Sequence, residues 1–231
     1  MCDLAVFWGV HQQAIIDLQE SSGNDFLVME RGYFGDRFKM TSIGFNGLNG
    51  RANFLNENSP SDRWLKHGCI WKDWKTTGDY ILIMGQVPGD ASIKNVDFIR
   101  WMRETNYELK LMSYLPIRCR PHPKAPKNRH SPCFQFDDIS ENTLAEDLKK
   151  AFMAVTFNSN SGVDAILAGV PVVACDPGSM AWPVAIHDLS ERPIRPVRIQ
   201  WAHNLAYCQW TELEIKDGTA WDHLKQKYEA S

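Results

Sequence analysis

A chain of 231 residues, 44% hydrophobic and 23% charged, holds enough apolar material for one large domain or two small ones. Its formal net charge of −3 excludes a global basic field that would draw it to nucleic acid. No run approaches the roughly 18 apolar residues of a membrane-spanning helix. The opening MCDLAVFWGV has no positive leader ahead of its apolar residues, so no cleavable signal is expected and the chain reads as cytoplasmic. Cysteines at 2, 69, 119, 133, 175 and 208 form no CxxC pair and no zinc-finger spacing. They are expected to be reduced, mostly buried thiols.

Apolar runs at 4–8 (LAVFW) and 26–29 (FLVM) predict strands. Ala14, Ile15 and Leu18 at helical spacing predict a helix between them, the start of an α/β layer. Residues 30–63 are rich in Gly, Asn, Ser and Asp, with Tyr33, Phe34, Phe38, Phe45 and Phe54 interleaved. This composition predicts ordered, irregular loops that build one wall of a site. After a connector over 64–78, Asp79–Gly85 (DYILIMG) predicts a buried strand and GQVPGD a turn. Ile93, Val96, Ile99 and Met102 predict an amphipathic helix. The next strand lies within Leu109–Arg120 and runs into RPHP. Thr143 and Glu146 have the form of a capping box opening a helix through about Lys150. A strand over Phe152–Phe157, the loop NSNSG, a helix VDAILAG stopped at Gly169 and a strand over Pro171–Cys175 follow. The tail, Trp201–Ala230, reads as two or three helices. Alternation of this kind predicts a parallel sheet with helices on both faces. The expected division is a reduced N-terminal α/β lobe over 1–76 and a Rossmann-like lobe over 77–231.

Three loops stand at predicted strand ends, where ligands of doubly wound folds bind. Asn158-Ser159-Asn160-Ser161-Gly162 turns from a strand into a helix; it reads equally as a phosphate cradle or as an N-cap. Arg120-Pro121-His122-Pro123 holds an imidazole between two prolines, and Arg118–Arg129 carries five basic residues and no acid. That suits phosphate oxygens, or a basic surface loop. Gln86 and Asp90 could hydrogen-bond a sugar or ribose, or close a bland turn. Glu30 or Asp36 could act as general base from the N-terminal side; ion pairing with Arg31 or Arg37 is the alternative. The scattered His and Cys positions suggest no metal site, and no cofactor is expected.

RPHP followed by NSNSGVDAILAGVPVVACDP resembles the paired His-Pro and Ser motifs of two-domain glycosyltransferases. The likeness is to the capsule-polysaccharide and Kdo-transferase type and to bacterial sialyltransferases. GQVPGD and WAHNLAYCQWTELEIKDGTAW resemble further segments of that group, so the resemblance covers roughly residues 79–225. It implies a GT-B-like fold and a UDP- or CMP-sugar donor whose phosphates meet His122, Pro123, Ser159 and Ser161. The chain departs from the group in having only residues 1–76 ahead of this region. ERGYFGDRF and SIGFNGLNGRANF are similar to segments of small bacteriophage-encoded glycosyltransferases, some of which glycosylate hydroxymethylated pyrimidines in DNA. On that resemblance the acceptor is modified DNA or a saccharide. DNA would be met by Arg192, Arg195 and Arg198, with Phe45 or Phe54 against an extruded base. A sugar-nucleotide epimerase or hydrolase, or a non-catalytic binding module, would use the same cradle.

Overall fold

The computed structural model describes residues 2–67, 70–125 and 131–229. The strands are β1 Leu4–Trp8, β2 Asp25–Arg31, β3 Met40–Phe45, β4 Tyr80–Met84, β5 Ile117–Arg120, β6 Asp138–Ile139, β7 Ala151–Thr156, β8 Val172–Ala174 and β9 Gln209–Thr211. The α-helices are α1 Gln13–Ser21, α2 Asp62–Lys66, α3 Phe98–Met112, α4 Leu144–Lys150, α5 Ser161–Leu167, α6 Ile199–Ala206, α7 Glu212–Lys216 and α8 Thr219–Glu229. Two compact units result: Met1–Cys69 with Val197–Ser231, and Ile70–Pro196. No helix among the described residues is long and apolar enough to cross a membrane.

The first unit carries the sheet β1-β2-β3-β9, parallel between β1 and β2 and antiparallel beyond. Phe7, Phe26 and Val28 pack with Ile16 of α1 on one face. Leu27, Ile43 and Phe45 meet Tyr207, Trp210, Ala220 and Leu224 on the other. Two features differ from the sequence reading. The stretch expected to be irregular contains β3, whose Gly44 marks close packing and not a turn. A Cβ there would lie 2.7 Å from Ala52 Cβ and 2.8 Å from Phe54 Cε1. The tail, expected with the second lobe, packs into this unit. β9 pairs with β3, and the buried Arg63 donates to both carboxylate oxygens of Glu214 at 2.8 and 3.2 Å. Neither a three-residue strand nor a long-range ion pair leaves a periodic trace in the sequence.

The second unit holds a five-stranded sheet in the order β6-β5-β4-β7-β8, all parallel. Strands buried on both faces need apolar side chains at every position, which is why β4 reads YILIM without alternation. Phe98, Met102 and Leu109 of α3 cover the face of Ile81, Ile83, Ile117, Met153 and Val155. Tyr80 points to the opposite face, where its hydroxyl donates to Asp147 O of α4. α3 starts later than the apolar spacing suggests, because Asp97 caps it by accepting from Arg100 N. Ile93 lies instead in a 3-10 turn at Ala91–Ile93, capped by Asp90. The Thr143/Glu146 capping box forms as expected.

Candidate functional site

In a parallel sheet all strands end on one edge, and this order reverses direction between β4 and β7. That is the topological switch point, where a crevice opens beyond the strand ends. Gln86, following β4, and Asn158, following β7, face each other there, both buried. Gln86 Nε2 donates to Asn158 Oδ1 at 2.8 Å, and Asn158 N donates to Gln86 Oε1 at 3.1 Å. Asn158 Nδ2 donates to Ser92 O at 2.9 Å and to Asp176 Oδ1 at 3.0 Å. The two amides thus stitch together the loops after β4, β7 and β8. Asp90 accepts from Ser92 N and Ser92 Oγ at 3.1 and 3.0 Å, which closes the turn that places Ser92.

The Ser-rich loop is partly open to solvent. Ser159 N donates to Thr156 Oγ1 at 2.9 Å, and Ser161 Oγ donates to Ser159 Oγ at 2.8 Å. The Ser159 hydroxyl proton remains available to a ligand, because both contacts reach that oxygen as acceptor. Asn160, half-buried, precedes α5 without a side-chain capping bond. Gly162 is tightly packed: a Cβ would lie 3.2 Å from Ala181 Cβ and 3.3 Å from Thr156 Cγ2, so these neighbours would have to give way slightly.

On the other side of β4, β5 ends in Arg120 and its continuation lines a cavity of about 490 Å³ with His122, Pro123, Ser131, Phe134, Glu141 and Asn142. β5 and β7 flank β4, so His122 and Ser159 leave the edge two inter-strand spacings apart, about 10 Å. Burial lowers the His122 pKa, Asp90 opposes this, and Lys124 and Arg120 reinforce it. Lys124 N donates to His122 Nδ1 at 3.1 Å, so the neutral ring carries its proton on Nε2. Arg120 is less free than the sequence suggests. Its Nη1 donates to Asp147 Oδ2 at 3.1 Å and to Asn142 O. Asp147, with no exposed side-chain surface, also accepts from Ser140 Oγ and Asn142 Nδ2. This buried carboxylate anchoring the cavity wall was missed. Its sequence signal is an acid inside the helix LAEDLKK, placed after a strand with two arginines. Lys127 and Arg129 of the basic run lie outside the described residues, as does Cys69.

Cys119 and Cys133 form a disulfide, against the expectation of reduced thiols. The 14-residue separation carries no spacing signal; the bond forms because Cys133 lies beside Gly85, at the end of the strand next to β5. Burial pushes the Cys175 thiol up to about 12, so it is no nucleophile at neutral pH. Among the described residues no group of three His, Cys, Asp or Glu side chains could hold a metal ion.

In the first unit, Glu30 lies on β2 near its C-terminal end, and its Oε1 accepts from Arg31 N at 2.8 Å. Gly9, at φ 65°, turns the chain after β1, and a Cβ there would lie 3.3 Å from His11 Cδ2 and 3.6 Å from Glu30 Oε2. The positive φ, which L side chains rarely adopt, is what favours glycine at this turn beside His11 and Glu30. Asp36 is exposed and pairs with Lys39 at 3.2 Å. The Lys39 hydrogen bond holds its carboxyl below the usual range. Phe45 and Phe54, proposed to meet a base, are buried core residues. Of the basic trio, Arg198 is buried, and Arg195 Nε donates to Lys75 O at 2.7 Å.

No protein-family model matches the chain, and no curated protein sequence matches it. Among solved structures it is similar to the KpsC β-Kdo 2,7-transferase of Thermosulfurimonas dismutans, with TM-score 0.56 and 16% identity over 90% of this chain and 78% of that one. It is also similar to the KpsC β-Kdo 2,4-transferase of the same organism, with TM-score 0.58 and 12% identity over 95% and 86%. The likeness is one of fold.

Proposed function

We propose that this chain is a GT-B-type glycosyltransferase that moves a sugar from a CMP- or UDP-sugar to an acceptor hydroxyl in the cytoplasm. The observation that carries the reading is the switch-point crevice. Half-open serines follow β7 and a neutral, oriented His122 follows β5, at the same sheet edge on either side of β4, in a fold similar to two Kdo transferases. The Ser159 and Ser161 hydroxyls and Asn160 meet the donor's phosphate, on a turn that Gly162 closes by donating its N–H to Ser159 O. His122 Nε2–H stabilises the leaving phosphate as negative charge develops on it, beside the Pro123 turn, without requiring a bound cation. Arg120, ion-paired with Asp147, frames the wall behind His122 and meets the phosphate only weakly. Gln86, Asp90 and Asn158 hold the loops in register and do not grip the sugar. Glu30 deprotonates the acceptor hydroxyl; the ion-paired Asp36 is the weaker base.

A saccharide is the better acceptor. Of the residues that a DNA acceptor would use, Phe45, Phe54 and Arg198 are buried and Arg195 donates to Lys75 O, so Arg192 would have to meet the duplex largely alone. Calorimetric titration with CMP-, UDP-, GDP- and dTDP-sugars tests the reading. One nucleotide is expected to bind, and S159A/S161A is expected to weaken it by tenfold or more, since hydrogen bonds to charged groups contribute roughly 1.5–3 kcal/mol each. Binding of none of them would refute the proposal.

A further inference from the structure

The first unit presents a second chemical feature that the donor site does not use. Trp8 ends the edge strand β1, and its register partner is Met29 on β2. Side chains alternate along a strand, so Arg31, two residues on, shares the face of Trp8. The Arg31 guanidinium carbon lies 5.8 Å from the centroid of the Trp8 ring and 4.8 Å from that of Phe38. Its Nη1 donates to Phe38 O at 3.4 Å. These contacts orient the cation without neutralising it. Trp8 is 53% exposed and Phe38 80%, although large aromatic side chains are normally buried. Glu30, adjacent in sequence, projects from the opposite face at the same end of the strand.

Two solvent-exposed aromatic rings flanking an oriented guanidinium match one kind of ligand. The C–H faces of a pyranose ring pack on aromatic carbon, and a fork of N–H donors receives a carboxylate in bidentate fashion. A nucleic acid backbone needs several phosphate contacts at once. Here Lys39 is paired with Asp36 and Arg37 Nε is turned to Tyr33 O, so Arg31 is the cation that the two exposed rings flank. We infer that Trp8, Arg31 and Phe38 form a saccharide-binding platform selective for a carboxylate-bearing sugar. As the acceptor's docking point it rests on the transferase reading above; as a binding site it stands apart from it.

The test uses the full chain without donor. Oligosaccharides ending in sialic acid, Kdo or glucuronic acid are titrated by ligand-observed NMR, alongside their neutral counterparts and a DNA duplex. Sugar-nucleotide affinity is measured separately. The wild type is expected to bind at least one acidic saccharide about tenfold more tightly than its neutral counterpart. R31A is expected to erase that preference, and W8A and F38A to weaken acidic and neutral sugars alike. Sugar-nucleotide affinity should stay unchanged in all three. F38A, in an exposed loop, keeps the test usable if W8A fails to fold. Equal binding by wild type and R31A, no saccharide binding at millimolar concentration, or preferential binding of the duplex would each overturn the inference while leaving the donor reading intact. Arg31-dependent saccharide binding with no sugar-nucleotide binding would uphold the platform and remove the transferase reading.

Discussion

Asn158→Ala is expected to act on stability, whereas S159A/S161A acts on ligand affinity. Asn158 is 1% exposed and its Nδ2 makes two hydrogen bonds, one of them to the carboxylate of Asp176. Truncation also removes the acceptor of Gln86 Nε2, leaving that group only the 3.4 Å contact to Ser92 Oγ. Orphaning a buried polar group costs about 1–3 kcal/mol, and three groups lose their partner here: Ser92 O, Asp176 Oδ1 in part, and Gln86 Nε2. The sum is about 3 kcal/mol after partial relaxation, equivalent to a fall in Tm of about 6–12 °C for a chain of this size. The serines are half-open, so their removal should cost under about 1 kcal/mol. The assay is thermal unfolding beside calorimetry with the best-binding sugar nucleotide. An N158A protein that melts like the wild type but has lost the nucleotide would refute the scaffold argument and make Asn158 a direct ligand.

His122→Ala should lower turnover per folded molecule at least tenfold with little change in Tm; a large fall in Tm with turnover intact would make it a structural histidine. Glu214→Ala strands the buried Arg63 and removes the Thr211 capping box, so a loss of about 4 kcal/mol is expected by chemical denaturation. Stability within 1 kcal/mol of wild type would show that the tail is not an integral part of the first unit. Burial lowers the pKa of His67, His122 and His223 below 6.5. The unfolded chain therefore takes up protons first, and stability, full above pH 6.5, should fall as pH drops towards 5. His223→Phe, which keeps the packing against Tyr207 and Trp210, should flatten the Tm–pH curve in that window. An unchanged slope would contradict the assignment to His223.

The second unit was largely legible because its strands are short apolar runs ending in Gly- or Ser-rich loops, and its helices start at Thr143 and stop at Gly169. The same logic put Gln86, His122 and Ser159 at strand ends. What it could not reveal is which strands are neighbours. Only the order β6-β5-β4-β7-β8 turns Gln86 and Asn158 into partners across the switch point. The Cys119–Cys133 bond and the Asp147 cluster escaped for the same reason, since both join residues that no period links. In the first unit, Gly44 read as a loop residue because glycine signals turns and close packing alike, and only the Phe54 ring against it distinguishes them. Exposed Trp8 and Phe38 looked no different in sequence from buried Tyr33 and Phe34.

A sugar nucleotide bound at the strand ends of the second unit must give up its sugar to an acceptor. The most direct measurement offers labelled CMP- and UDP-sugars together with acidic oligosaccharides in one reaction and hydroxymethylpyrimidine DNA in another, with wild type and H122A compared. Label is expected in the saccharide from one nucleotide, with none in DNA and a loss of transfer in H122A. Label in DNA alone would contradict the acceptor assignment, and intact sugar nucleotide in every reaction after prolonged incubation would contradict the transferase itself.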